Sequence, residues 1–159
     1  MKFLKTHYGR AINVIASDTV NIPNPAGLGM TGITDGTDTN KLVDSTASFT
    51  TNLLGAIVVS NGSSMANVIG FESSTVLILD ADILQNVGDK YAIYNSDNNQ
   101  GCAIYIPAAT PAKLTVLTVG GDIVSFKTCG DLNAGSILPV NVLKVFKTDT
   151  EIENLIALW

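Results

Sequence analysis

The stretch 113–159, KLTVLTVGGDIVSFKTCGDLNAGSILPVNVLKVFKTDTEIENLIALW, constrains the fold of this chain more than any other. Apolar, β-branched runs alternate there with turn residues, and Val, Ile, Thr and Phe fit a pleated, half-buried surface. Gly120-Gly121 between two such runs is a hairpin signal. A two-residue loop at these glycines predicts Leu117 opposite Val124 and Thr115 opposite Phe126 on the core face. Val116 then faces Ser125, and Leu114 faces Lys127, on the other side. The stretch reads as a β-unit with one apolar face.

Its end carries two competing patterns. Thr150 followed by Glu153 matches a capping box, and Ile152, Leu155, Ile156 and Trp159 recur at helical spacing. The β-rich neighbourhood argues instead for a strand with Leu155, Ala157 and Trp159 on one face, and we take the strand. Trp159 is expected to bury in the core or against a neighbouring subunit. Leu155, Ile156, Leu158 and Trp159 are therefore the interface candidates.

The chain before this stretch has two textures. Residues 11–15 and 20–22 are short apolar runs around the turn residues Ser17, Asp18 and Thr19. NIPNPAGLG at 21–29 has two prolines and two glycines, and it reads as a boundary. Beyond it, apolar runs at 41–43, 56–60, 66–71, 75–79 and 91–94 alternate with polar turns, which predicts a small antiparallel barrel. Asp44 or Ser45 is placed to cap a brief helical turn within 46–54. SDNNQ at 96–100 closes this segment, and apolar alternation resumes at 102–107. The expected fold is all-β: a discontinuous β-sandwich-like domain, residues 1–26 and 101–159, with a small antiparallel β-barrel, 27–100, inserted into one of its loops. Such insertion is tolerated because loop closure grows costly only slowly with length. One continuous sandwich without an insertion is the alternative.

Only 14% of the residues are charged, although 46% are hydrophobic. About a quarter charged is usual for soluble domains. No apolar run approaches the ~18 residues of a membrane span, so the shortage of charge points to surface covered by other subunits. The net charge of −5 argues against a nucleic-acid binder, which needs a basic footprint. Lys2, Lys5 and Arg10 make the start locally basic, a solvated terminus or an arm for an acidic neighbour. That start lacks the apolar core of a secretory signal, so a protein made and used in the cytoplasm is expected. Cys102 and Cys129 have neither CxxC spacing nor histidine partners, which speaks against zinc. Both are expected to be free, buried thiols, although spacing alone leaves a bridge between them open.

Catalytic motifs are missing. The single histidine, His7, lies in the basic arm, and no GxSxG, P-loop, HExxH or GxGxxG pattern occurs. Asp35, Asp38, Asn40 and Asp44 could supply oxygen ligands to calcium, but their spacing is not that of an EF-hand, and the same residues are ordinary turn formers. Asp80 and Asp82 are read as ending a strand. No catalytic, cofactor or metal site is expected, and the chain is not expected to be an enzyme.

One resemblance can be named. Gly120, Gly121, Asp122, Val124 and Phe126, then Ala134, Gly135, Leu138, Pro139, Val140 and Val142, then Thr150, Ile156, Ala157, Leu158 and Trp159 follow an order that resembles the head-spike base and head-decoration proteins of tailed phages and gene transfer agents. NVIASDTVNIP at 13–23 is similar to that family's N-terminal strand and turn. The phrase NKLVDSTASF, with a following G-x-I-V strand, resembles a small β-module that recurs in phage structural proteins. The resemblance implies a virion structural protein that packs on the phage head. Its partners would be the major capsid protein, further copies of itself (a pentamer or a trimer) and a fibre protein. A second class is a carbohydrate- or receptor-binding β-module of a phage tail or cell-surface protein, which would want Tyr8, Phe71, Tyr91, Tyr94 and Tyr105 exposed on one face.

Overall fold

A computed structural model describes residues 8–97, 99–107, 112–127 and 133–159. Lys2, Lys5 and His7 of the basic arm lie outside the described residues, as does Cys129 with the link 128–132. The chain is all-β. Its strands are β1 (Ala11–Asn13), β2 (Leu28–Ile33), β3 (Lys41–Val43), β4 (Ile57–Ser60), β5 (Ser64–Ser73), β6 (Val76–Leu79), β7 (Lys90–Tyr94), β8 (Ala103–Ile106), β9 (Lys113–Thr118), β10 (Ile123–Lys127), β11 (Ser136–Ile137), β12 (Val142–Val145) and β13 (Ile156–Leu158). Two compact units are formed, one from Met1–Asp18 and Gln100–Trp159, the other from Thr19–Asn99. The first junction thus falls before the two prolines that the sequence reading took for the boundary.

The Thr19–Asn99 unit is a six-stranded antiparallel sheet in the order β2-β7-β4-β5-β6-β3. Burial alternates along β6 and β7, as expected of strands with one core face. β5 is long enough to pair with β4 through its first half and with β6 through its second. Register shifts at Val68/Gly70 and Phe71/Ser73 bend it between the two. The core gathers Leu42, Phe49, Val58, Val68, Leu77, Leu79, Leu84 and Ile93, and each such side chain contributes roughly 1.5–3 kcal/mol through burial.

Three details differ from the sequence reading. β2 is an additional strand, hidden in the sequence by the glycines of LGMTGI and by the prolines just before it. Among the described residues no ladder between β2 and β3 closes the sheet. An isolated bridge between Gly36 and Val43, with the Asp35 N–H donating to the Val43 carbonyl at 3.1 Å, ties the two edges at one point. The helical turn expected in 46–54 is a single 3₁₀ turn at Thr51–Leu53 without a side-chain cap. Asp44 does accept the Thr46 N–H at 2.9 Å, but in a turn that precedes it.

The other unit has two antiparallel sheets, β1-β13-β8-β11 and β10-β9-β12, joined by a bridge between Cys102 and Val142. Their buried residues include Ile104, Ile106, Leu114, Val116, Leu138, Val142, Val145, Leu155 and Ala157. The β9–β10 hairpin is shifted by one residue from the expected pairing: Val116 faces Val124 and Leu114 faces Phe126. The cause is the turn. Thr118 and Asp122 close a three-residue loop, Val119-Gly120-Gly121, in which Gly121 has φ +92, a conformation that glycine adopts without strain. Since side chains alternate along a strand, this slip places Leu114 and Val116 on the core face with Val124 and Phe126, and turns Ile123 and Lys127 outward.

The C-terminal segment is a strand. β13 lies between β1 and β8, with Ala157 opposite Ile12 on one side and Ile104 on the other. Of the two residues that looked like a capping box, Thr150 serves β9 instead, together with Glu151 beside it. The Thr150 hydroxyl oxygen accepts the Thr115 N–H at 3.1 Å, and the Glu151 carboxylate accepts the Lys113 N–H at 2.9 Å.

Candidate functional site

The unit built from both chain ends carries an open groove of about 770 Å³, lined by Tyr8, Ala103, Thr118, Val119, Gly120, Asp122, Val124, Ile137, Leu138, Pro139, Val140 and Asn141. Its walls are the β9–β10 turn and the segment after β11. Leu138 is anchored in the core, and its N–H donates to the Ile104 carbonyl at 2.8 Å. That anchor leaves Ile137 facing outward at 42% exposure, while Val119 at the tip of the turn is 40% exposed. Ile123, which follows the turn, is 65% exposed. Asp122 is the one charged residue in the lining. A groove of this composition offers apolar contact and one carboxylate, which suits packing against a protein surface.

The other unit holds a cleft of about 530 Å³ between β2 and residues 44–48, lined by Met30, Thr31, Gly32, Ile33, Thr34, Asp35, Asp44, Thr46, Ala47, Ser48 and Tyr91. Asp44 is only 3% exposed. It accepts the Tyr91 hydroxyl at 2.7 Å, the Thr46 hydroxyl at 2.7 Å and the Thr46 N–H at 2.9 Å. Burial pushes its carboxyl upward, but the hydrogen bonds from Thr46 and Tyr91 outweigh that and hold it below the ordinary carboxylate value. Burial, together with the neighbouring Asp44 charge, pushes the Tyr91 hydroxyl well above its usual value. Tyr91 also fixes the residue opposite: a Cβ on Gly32 would lie 2.3 Å from the Tyr91 hydroxyl oxygen. The buried pair is fully satisfied and acts as a structural strut across the cleft floor.

The candidate residues read from sequence separate in space. Asp35 binds the N–H and hydroxyl of Ser45, Asp38 lies 3.8 Å from Lys41, and Asn40 donates its N–H to Asp82 at 3.3 Å. Asp80 accepts both the N–H and the side-chain amide of Asn67, at 2.7 and 2.6 Å. These are turn and strand-end contacts, and among the described residues no three His, Cys, Asp or Glu side chains gather as they would around a metal. Of the aromatics, Tyr91 is buried and Tyr8 lies in the apolar groove, while Phe71, Tyr94 and Tyr105 are half-buried.

Of the interface candidates, Leu155 is inside the core at 3% exposure. Ile156, Leu158 and Trp159 are half-buried and give some surface. The Trp159 backbone extends the β1–β13 pairing, its N–H donating to Arg10 and its carbonyl accepting the Gly9 N–H. The groove residues Val119 and Ile137, and Ile123 beyond the turn, escaped the sequence reading as surface. An alternating strand shows which residues share a face, and the slipped turn decides which face that is. Cys102 is a buried free thiol, and burial raises it to about 12, where it is inert. No family model matches the chain, and comparisons with curated proteins and with solved structures find no match either.

Proposed function

We propose that this chain is a structural subunit of a phage particle, a capsid decoration or head-spike base protein that acts by oligomeric packing on the head rather than by catalysis. One observation carries the reading. Gly120, Asp122, Val124, Leu138, Pro139 and Val140, all from the motif that resembles the phage family, line a single apolar groove flanked by the exposed side chains of Val119 and Ile137. Low charge over the whole chain supports the same reading, because surface that is covered in an assembly is depleted of charge. The groove-bearing unit docks to the major capsid protein or to further copies of the chain, as a pentamer or a trimer. The Thr19–Asn99 unit presents a separate surface to which a fibre protein attaches. The protein is then a virion component, assembled in the host cytoplasm, without nucleic-acid or membrane partners.

Quantitative mass spectrometry of purified particles tests this. A fixed copy number relative to the major capsid protein, retained through a density gradient, is the expected result. Absence from particles sinks the proposal, and retention on host polysaccharide would favour a carbohydrate-binding module instead.

A further inference from the structure

We propose that the free edge of β2 is a strand-acceptor site, where an extended, basic segment of a partner polypeptide pairs with Thr31 and Ile33 and fills the cleft between β2 and residues 44–48. The direction of the backbone groups follows from their neighbours. Thr34 donates its N–H to Asp89 at 2.9 Å, continuing the β2–β7 pairing, whereas Asp35 donates to Val43 on the opposite side. Backbone direction alternates along an extended strand, so the N–H and C=O of Thr31 and Ile33 point the same way as those of Asp35, into the cleft. Among the described residues β2 is hydrogen-bonded only to β7 and stands at the edge of its sheet.

Native proteins usually blunt such an edge with charge, proline or a bulge. LGMTGI contains neither charge nor proline, and its one register shift lies between Leu28 and Met30, away from the Thr31–Ile33 end. Gly32 leaves the wall without a side chain, and Ile33, 55% exposed, offers an apolar contact at the rim. An open row of backbone donors and acceptors selects an extended chain over a helix or a sugar. The four residues Met30–Ile33 along the cleft correspond to about 13 Å of strand, enough for a partner segment of roughly four residues.

Charge selects further. Asp35 is the exposed carboxylate of the cleft, with Asp44 buried beneath it, and among the described residues no Lys, Arg or His lines it. A segment carrying Lys or Arg is complementary to it. This inference stands on the Thr19–Asn99 unit alone, so it and the assignment of the apolar groove can fail separately.

The test is residue-resolved amide hydrogen exchange on the full chain, with the peptide KTVKVTK as probe and ETVEVTE as its acidic control. In the free, dilute protein the Thr31 and Ile33 amides should exchange quickly while those of Met30, Gly32 and Thr34 are protected. Saturating KTVKVTK should slow Thr31 and Ile33 at least about tenfold, equivalent to roughly 1.4 kcal/mol, and ETVEVTE should not. Asp35→Asn should weaken KTVKVTK two- to fivefold, about the range of an exposed ion pair. Three results overturn the proposal: no protection at millimolar KTVKVTK, equal protection by both peptides, or slow exchange of Thr31 and Ile33 before any peptide is added. If protection instead grows with protein concentration alone, the occupant is a second copy and the basic partner is wrong.

Discussion

The two units differ in what they bury: one holds a polar network in its core, the other mostly aliphatic side chains. Thr19–Asn99 takes a carboxylate and a phenol into its interior and satisfies both, with Asp44 accepting from the Tyr91 and Thr46 hydroxyls, each at 2.7 Å. The unit made from the two chain ends buries mostly aliphatic side chains and leaves Val119 and Ile137 bare around a groove. A satisfied buried polar network fixes one arrangement of a core, because any other arrangement strands a charge. An apolar groove fixes nothing until a partner fills it. The contrast puts the satisfied polar network in the first unit and the groove proposed for packing in the second.

Substitutions at four sites, from the largest expected effect to the smallest, can break that contrast. Ile93→Ala, at a fully buried position in central β7, should cost about 2–5 kcal/mol in denaturant unfolding; a cost below 1 kcal/mol would mean that this core is not what stabilises the unit. Tyr91→Phe removes a donor from Asp44 and should cost about 1–3 kcal/mol. Gly121→Ala forces a Cβ into φ +92 and should cost about 1–2 kcal/mol, with loss of the β9–β10 turn contacts by NMR. Ile137→Asp, on an exposed groove wall, should change monomer stability by no more than about 0.5 kcal/mol while weakening association. A large stability loss from that last change would make Ile137 a core residue and empty the comparison of meaning.

The pH dependence sharpens the same point. The Asp44 carboxyl is held below its ordinary value, so its contribution is present above about pH 4 and is lost as pH falls through the folded value. The Tyr91 hydroxyl is raised, so its contribution is intact below about pH 10 and declines as the solution becomes more alkaline. Tyr91→Phe should therefore remove the alkaline loss and, by taking one hydrogen bond from Asp44, start acid unfolding at a higher pH. Fluorescence-monitored unfolding across pH checks both directions.

Much of this fold was legible from hydrophobic periodicity. β3 coincides with its apolar run at 41–43, and β4 to β7 overlap theirs closely, because β-branched runs bounded by Asn-Gly, Ser-Ser and Gly-Asp have few other ways to bury themselves. β2 was not legible: its two glycines weaken any strand signal, and it is held by pairing with β7 rather than by propensity. The hairpin was legible as a hairpin but not in its register, since Val119 joined the glycines in the loop and shifted every cross-strand partner. The same shift explains why the groove was missed, while Leu155, an expected interface residue, sits in the core because it alternates with Ala157 on the inner side of the β13 segment. Thr150 shows a further limit, because a residue that could cap a helix in isolation can be recruited by a neighbouring strand.

Sedimentation velocity of the wild-type chain beside Ile137→Asp tests the packing role most directly. The wild type should sediment as one closed oligomer that holds its size over a range of concentrations, and the variant as a folded monomer. A wild-type chain that stays monomeric at high concentration and fails to bind capsid shells, or a variant that assembles as well as its parent, would contradict it.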